Sequence, residues 1–457
     1  MRPTQALGAV RKAFAYASLY AHRIMRRMHP AQLILGGYLL YMIIGWLVLN
    51  LPVSQSVPVS PLDNLFISVS AVSTTGLVTV DPGSSYTFLG ELVILLLIQA
   101  GGIGYMTLGS FAMLATAHHL SPLREKITRS AFTLPDDITA AQFIRTVVIF
   151  TLVVEAIGAV SLFVIFSGAG VDNAVWSAIF HSISAFCTAG FSLNANSFEG
   201  FRGHLGLNTV ISILSIVGAM GFLIVWDIWR SLTTRSFSLS FTSKVIIRIT
   251  AAFLAVGTAI IFVAEPGIAG LPPGERLLAA FFQTMTATTT VGFNTHPIGT
   301  LAPAILVLLY FLMAIGASPS GTGGGLKTTT FAAMLGLVRS MLRRRPEITF
   351  FVRPIAPARL HVAMASAAYF VMMLTPAVFV LCLLETGADF EAILFEAISA
   401  VGTVGLSMGV TGSLTDLGKI TIILLMVAGR VGILTFGIAL ASRDEKTDVR
   451  EDGELLV

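Results

Sequence analysis

Four segments of this chain align with one another without a gap, and nothing else in the sequence constrains the fold as tightly. They run from Phe66 to Val78 (FISVSAVSTTGLV), Phe180 to Ser192 (FHSISAFCTAGFS), Phe282 to Asn294 (FQTMTATTTVGFN) and Phe395 to Ser407 (FEAISAVGTVGLS). Each reads Phe, three residues, Ser or Thr, Ala, two residues, Thr, one residue, Gly, then Leu or Phe. The glycines Gly76, Gly190, Gly292 and Gly405 are 114, 102 and 113 residues apart, which marks four copies of one unit.

An apolar stretch precedes each copy, at about 31–51, 143–166, 244–264 and 360–384. Another follows, at about 87–116, 206–230, 301–341 (interrupted) and 418–441. Each can cross roughly 30 Å of hydrocarbon at about 1.5 Å per residue. The segment between them is too short to span, and reads as a half-helix that enters the bilayer and returns. Of 457 residues 55% are hydrophobic and 11% charged, far below the charge content of a soluble domain. The fold class is therefore an all-α membrane protein with four pseudo-symmetric helix–re-entrant pore loop–helix repeats, eight transmembrane helices, around a central pore. Its parts are a basic arm at 1–30, repeats at 31–116, 117–230, 231–342 (with a broken second helix) and 343–441, and a tail at 442–457.

Of 28 lysines and arginines, 23 fall in the arm, the tail or the loops near 117–145, 230–248 and 339–359. Arg202, Arg276 and Lys419 fall on the other side, and Lys327 and Arg430 within the membrane. The positive-inside rule then places both termini in the cytoplasm of a cell inner (plasma) membrane and opens every motif to the outside. Residues 1–30 lack a signal peptide's apolar core, and read as a cytoplasmic arm able to lie on anionic lipid. Cys187 and Cys382 read as small buried hydrophobes, and the eight scattered histidines form no metal-ligand pattern. No resident cofactor and no nucleic-acid partner is expected.

Irregular backbone at membrane depth persists only when buried in protein or lining a water-filled cavity. Where four half-helices converge and each ends in an extended Thr-x-Gly, backbone carbonyls can point inward and replace an ion's hydration shell. Glycine permits that backbone, and no carboxylate is needed. The candidate ligands for K+ are Thr74, Thr75 and Gly76; Thr188, Ala189 and Gly190; Thr290, Val291 and Gly292; and Thr403, Val404 and Gly405. Two of these read Thr-Val-Gly, like a potassium-channel filter. The four phenylalanines ten residues before each glycine read as packing anchors.

Other function classes fare worse. Ser318-Pro319-Ser320-Gly321 fails as a Gly-x-Ser-Gly nucleophile site because position 318 is Ser. Gly321 to Thr328 fails as a phosphate-binding loop because Leu326 separates glycine from lysine and no strand precedes it. Secondary transporters also break helices at mid-membrane, usually in two inverted repeats rather than four parallel ones. A sodium or ammonium conductor on the same architecture stays open as the alternative.

With these residues in view, the chain resembles the superfamily of potassium transporters that holds the bacterial Trk and Ktr membrane subunits and the plant and fungal Hkt and Trk proteins, over residues 31–441. Trk subunits usually carry two helices ahead of the first repeat, which here starts near residue 31, so the likeness is to the Ktr membrane subunit, KtrB. Glycine at all four filter positions goes, in that superfamily, with potassium selectivity, and serine at the first with sodium permeation. The run from Gly316 to Gly325 cannot hold a regular apolar helix. The resemblance implies that it is an intramembrane gate, built from Gly316, Ser318, Ser320, Gly321, Gly323, Gly324 and Gly325. Lys327 follows it, either snorkelling or tying down its carbonyls. Arg430, in the last helix, is implied to oppose cations electrostatically beside the gate, with a structural ion-pair role as the other reading. Glu155 reads as a structural hydrogen-bond partner, and Asp227 as a partner of Arg230 or a cap. The resemblance further implies a homodimer, a cytoplasmic nucleotide-binding regulatory ring of the KtrA type and sodium dependence. The basic loops at 124–129 and 339–345 are the expected docking surfaces.

Overall fold

The computed structural model describes residues 29–104, 139–233, 239–319, 321–344, 347–350 and 353–441. The basic arm as far as residue 28, the loop containing 124–129, Ser320, Arg345 and the 442–457 tail lie outside the described residues. Four long apolar helices open the four units: α1 (Pro30–Leu49), α4 (Ala140–Gly168), α8 (Phe241–Ala264) and α12 (Pro357–Leu384). Between lie the half-helices α2 (Pro61–Val72), α5 (Ala174–Phe186), α9 (Pro273–Thr289) and α13 (Phe390–Gly402). The second helices are α3 (Phe88–Ile103), α6 (Leu205–Met220), α10 (Pro303–Ala314) and α14 (Asp416–Val431). After them come α7 (Phe222–Thr233), α11 (Thr328–Leu342) and α15 (Ile433–Ala441).

The long helices keep their apolar residues on the outside: Leu40 is 57%, Val160 66%, Val263 76% and Met372 68% exposed. Such a surface is stable only in hydrocarbon. The motif phenylalanines do the opposite, with Phe66, Phe180, Phe282 and Phe395 all fully buried in the core. Starting signals are local. Ser60 accepts the N–H of Asp63 ahead of α2, Ser240 that of Ser243 ahead of α8, and proline opens α2 and α9, where a missing N–H costs nothing.

Packing between units is cyclic. The second helix of each unit lies against the half-helix of the next: α3 on α5, α6 on α9, α10 on α13, and α14 back on α2. A Lys419–Asp63 ion pair at 2.7 Å ties α14 to α2 at this last junction.

One expectation needs correction. The second helices of units two and four do not run straight through 206–230 and 418–441. They bend by 99° between α6 and α7 and by 106° between α14 and α15. Counting length and apolarity among the described residues, four helices qualify as membrane spans, or six if each bent pair is one span. The pivots are Gly221 and Gly432, and α3 likewise stops at Gly104, all with φ between 79° and 95°. An α-helix cannot continue through that region. The break expected in unit three alone thus has counterparts in units two and four. Just before Gly221, a Cβ on Gly218 would collide with the Phe186 carbonyl at the end of α5. Gly218→Leu is expected to destabilise the fold by about 1–3 kcal/mol, seen as a lower thermal midpoint in detergent. An unchanged midpoint would contradict this close approach.

Candidate ion pathway

Each half-helix ends one or two residues before its motif threonine. Thr74, Thr188, Thr290 and Thr403 have φ of 50°, 50°, 58° and 50°, the next residue keeps a negative φ, and each glycine is positive again. The N–H groups of Thr75, Ala189, Val291 and Val404 donate back to the carbonyls of Ser70, Ser184, Thr286 and Ser399, at 2.9, 2.8, 3.1 and 2.8 Å. The motif Ser or Thr therefore stands where the chain reverses. In units one and four its hydroxyl also receives the glycine N–H, from Gly76 at 3.1 Å and Gly405 at 3.0 Å.

The four segments touch in sequence. A Cβ on Gly76 would collide with the carbonyl oxygen of Ala189, one on Gly190 with that of Val291, one on Gly292 with that of Val404, and one on Gly405 with that of Thr75. The circuit closes, so four carbonyl oxygens stand in one ring at the level of four glycine α-carbons. All twelve residues singled out in the sequence meet here.

Directly against the threonines of this ring lies the segment between α10 and α11. The Thr322 hydroxyl sits 2.9 Å from that of Thr188, and its carbonyl accepts the Thr74 hydroxyl at 3.5 Å. Gly324 N–H donates to the Thr403 hydroxyl at 2.9 Å, and Gly323 approaches Thr290 so closely that a Cβ would strike its hydroxyl. Three consecutive residues thus engage all four ring threonines. The broken end of α6 holds the loop: the orphan carbonyls of Gly218 and Ala219 accept N–H groups of Thr322 and Ser318, each at 3.1 Å, and Met220 accepts the Ser318 hydroxyl. Gly316 backs onto the Gly324 carbonyl, Gly321 onto that of Ala219, and Gly325 turns the chain at φ 68°.

Two cations clamp the loop. Arg430 donates to the carbonyls of Thr322 and Gly101 and, at 2.8 Å, to the Thr74 hydroxyl. Its partners among the described residues are carbonyl and hydroxyl oxygens rather than a carboxylate, so the charge is solvated by the protein but not neutralised. Lys327 Nζ donates to the carbonyl of Gly323 at 2.6 Å and reaches that of Gly324 at 3.4 Å. Away from the ring, Glu155 accepts from Gln99 at 3.0 Å and Asp227 from the Ser243 hydroxyl at 2.6 Å.

Thr322 was not among the residues picked from the sequence, although it joins the loop to two ring threonines, to Arg430 and to α6. Its signal was faint, a single β-branched residue within a run of Gly and Ser. Gly101 and Gly218, whose carbonyls receive Arg430 and Thr322, carried none.

The chain matches the family profile described as TrkH, cation transport protein, over residues 7–447. It is 33% identical over 434 residues to the Ktr system potassium uptake protein B of Bacillus subtilis, covering 94% of this chain and 97% of that one. A protein of the same description from Vibrio alginolyticus is 34% identical over 432 residues, covering 92% of each. The potassium/sodium uptake protein NtpJ of Enterococcus hirae is 32% identical over 437 residues, covering 93% of this chain and 96% of that one. The crystal structure of the potassium transporter TrkH from Vibrio parahaemolyticus shares the fold, with a TM-score of 0.68 at 21% identity over 89% of this chain and 84% of that one. On this evidence the chain belongs to the TrkH family of membrane cation transport proteins.

Proposed function

We propose that this chain takes up potassium through the ring of four Thr-x-Gly segments, acting as a carbonyl selectivity filter, with the loop 316–325 as the gate beneath it. One observation carries the reading: the closed circuit in which each ring glycine faces the carbonyl oxygen of the next unit. Carbonyls can replace the hydration shell of a large monovalent cation without a fixed negative charge. The names of relatives from Bacillus and Vibrio, potassium uptake proteins of Ktr systems, favour potassium as the cargo. In this reading the chain sits in the inner membrane with both termini cytoplasmic and works as a homodimer. A nucleotide-binding subunit of the KtrA type regulates it from the cytoplasmic side, and sodium activates it without being the main cargo.

Flux from proteoliposomes holding the purified chain, with potassium, rubidium, sodium and ammonium compared, tests the cargo. Selective passage of potassium and rubidium is expected. Equal passage of sodium would favour a second reading that NtpJ, named for both potassium and sodium, keeps in view.

A further inference from the structure

Within the repeated motif the residue after the phenylalanine is buried and differs in every copy: Ile67, His181, Gln283 and Glu396. Two of these do the same work with unrelated chemistry. In unit two, Nε2 of His181 accepts from the Ser192 hydroxyl at 3.0 Å and from the Leu193 N–H at 3.3 Å, while Nδ1 meets the Ser177 carbonyl at 2.8 Å. That set fits a neutral imidazole protonated on Nδ1, which leaves Nε2 as an acceptor. In unit four, Oε1 of Glu396 accepts from the Ser407 hydroxyl at 2.6 Å and the Met408 N–H at 3.1 Å. Its Oε2 accepts from the Thr411 hydroxyl at 2.7 Å.

Ser192 and Ser407 both stand two residues past a ring glycine. Each hydroxyl in turn accepts an N–H two residues further on, from Asn194 at 3.0 Å and from Gly409 at 2.9 Å. An acceptor on the half-helix thus holds the strand leaving the ring by its serine and by the next peptide. The other two units lack the device. Ile67 and Val78 have no polar atoms to offer. The Gln283 amide is buried without a hydrogen-bond partner among the described residues. Asn294 is held instead by the unit-two loop, through Ser197 at 3.2 Å and Glu199 at 2.8 Å.

Since the circuit runs one, two, three, four, the braced units face each other across the ring. We propose that His181 and Glu396 are positioning residues that fix this diagonal and so set the ring's discrimination between potassium and the smaller sodium ion. The inference rests on the ring being the selectivity filter. A second layer of hydrogen bonds that fixes where ligand oxygens stand controls which ion they fit.

The test is the potassium-to-sodium permeability ratio in proteoliposomes. His181→Phe keeps a ring of similar size against Phe198 but has no acceptor, and Ser407→Ala and Ser192→Ala each remove one hydroxyl. All three are expected to lower the ratio, by roughly tenfold for His181→Phe. His181→Gln, whose amide oxygen can accept the same N–H, recovers part of it, and Gln283→Leu leaves it unchanged. The serine variants keep the test open if His181→Phe does not fold. A wild-type ratio in the serine variants and in any His181→Phe that transports potassium would overturn the brace. Gly76→Ser in the same assay separates the two ideas: if it alone admits sodium, the filter stands and the brace falls, and if it too is silent, the filter reading falls with it.

Discussion

Gly76→Ser is expected to lower the potassium-to-sodium permeability ratio by on the order of tenfold or more, with folded yield close to normal. Gly76 has φ 94°, and its missing Cβ leaves the space in which the Ala189 carbonyl stands. A side chain there costs about 1–2 kcal/mol in backbone conformation, and the collision pushes on one of the four ring oxygens. Both penalties fall on the ion site, where about 1.4 kcal/mol is a factor of ten, and little falls on the helices around it. The circuit makes the argument fourfold: Gly190→Ser, Gly292→Ser and Gly405→Ser press on Val291, Val404 and Thr75 in turn. Serine at Gly274, where a Cβ would meet nothing, serves as the control. Unchanged ratios in the ring variants, measured in proteoliposomes, would remove the filter assignment.

Arg430→Ala is expected to raise potassium flux by about tenfold or more, until loop opening no longer limits it. The guanidinium joins the Thr322 carbonyl to the end of α3 at Gly101 and to Thr74. Hydrogen bonds to a charged donor contribute about 1.5–3 kcal/mol each, so losing them shifts the loop toward release. The substitution also removes a positive charge next to the ring, which repels a dehydrated cation at low dielectric. Lys327→Ala should act in the same direction but more weakly, because Lys327 binds only carbonyls of its own loop, Gly323 and Gly324. The two effects should not add, since Arg430 and Lys327 hold adjacent residues of one loop, Thr322 and Gly323–Gly324. Reduced flux from Arg430→Ala at normal expression would count against the loop as a gate.

The ring was legible before the structure because four copies of one backbone turn demand the same residue types. Thr and Gly recur where φ must be positive, and Ser or Thr recurs where the returning strand folds back on the half-helix. Identity across repeats is also why His181 and Glu396 went unread. They occupy a position at which all four copies disagree, and their shared role lies in an acceptor atom rather than in a residue type. The pivots at Gly221 and Gly432 were hidden for a different reason. The apolar run continues on both sides of each glycine, so hydropathy sees one span where the backbone turns through a right angle. Thr322 lay inside a segment read for its glycines, and its part depends on carbonyls of Gly101 and Gly218 that belong to other helices. Contacts made by main-chain oxygens at helix ends leave no trace in composition.

The most direct measurement is crystallographic: anomalous scattering from crystals of the purified protein grown in rubidium or thallium salts. The account predicts a peak on the axis of the ring, between the carbonyls of Thr75, Ala189, Val291 and Val404, that vanishes when sodium replaces the heavier ion. Peaks elsewhere in the membrane domain with none in the ring, or equal occupancy in competition with excess sodium, would contradict it.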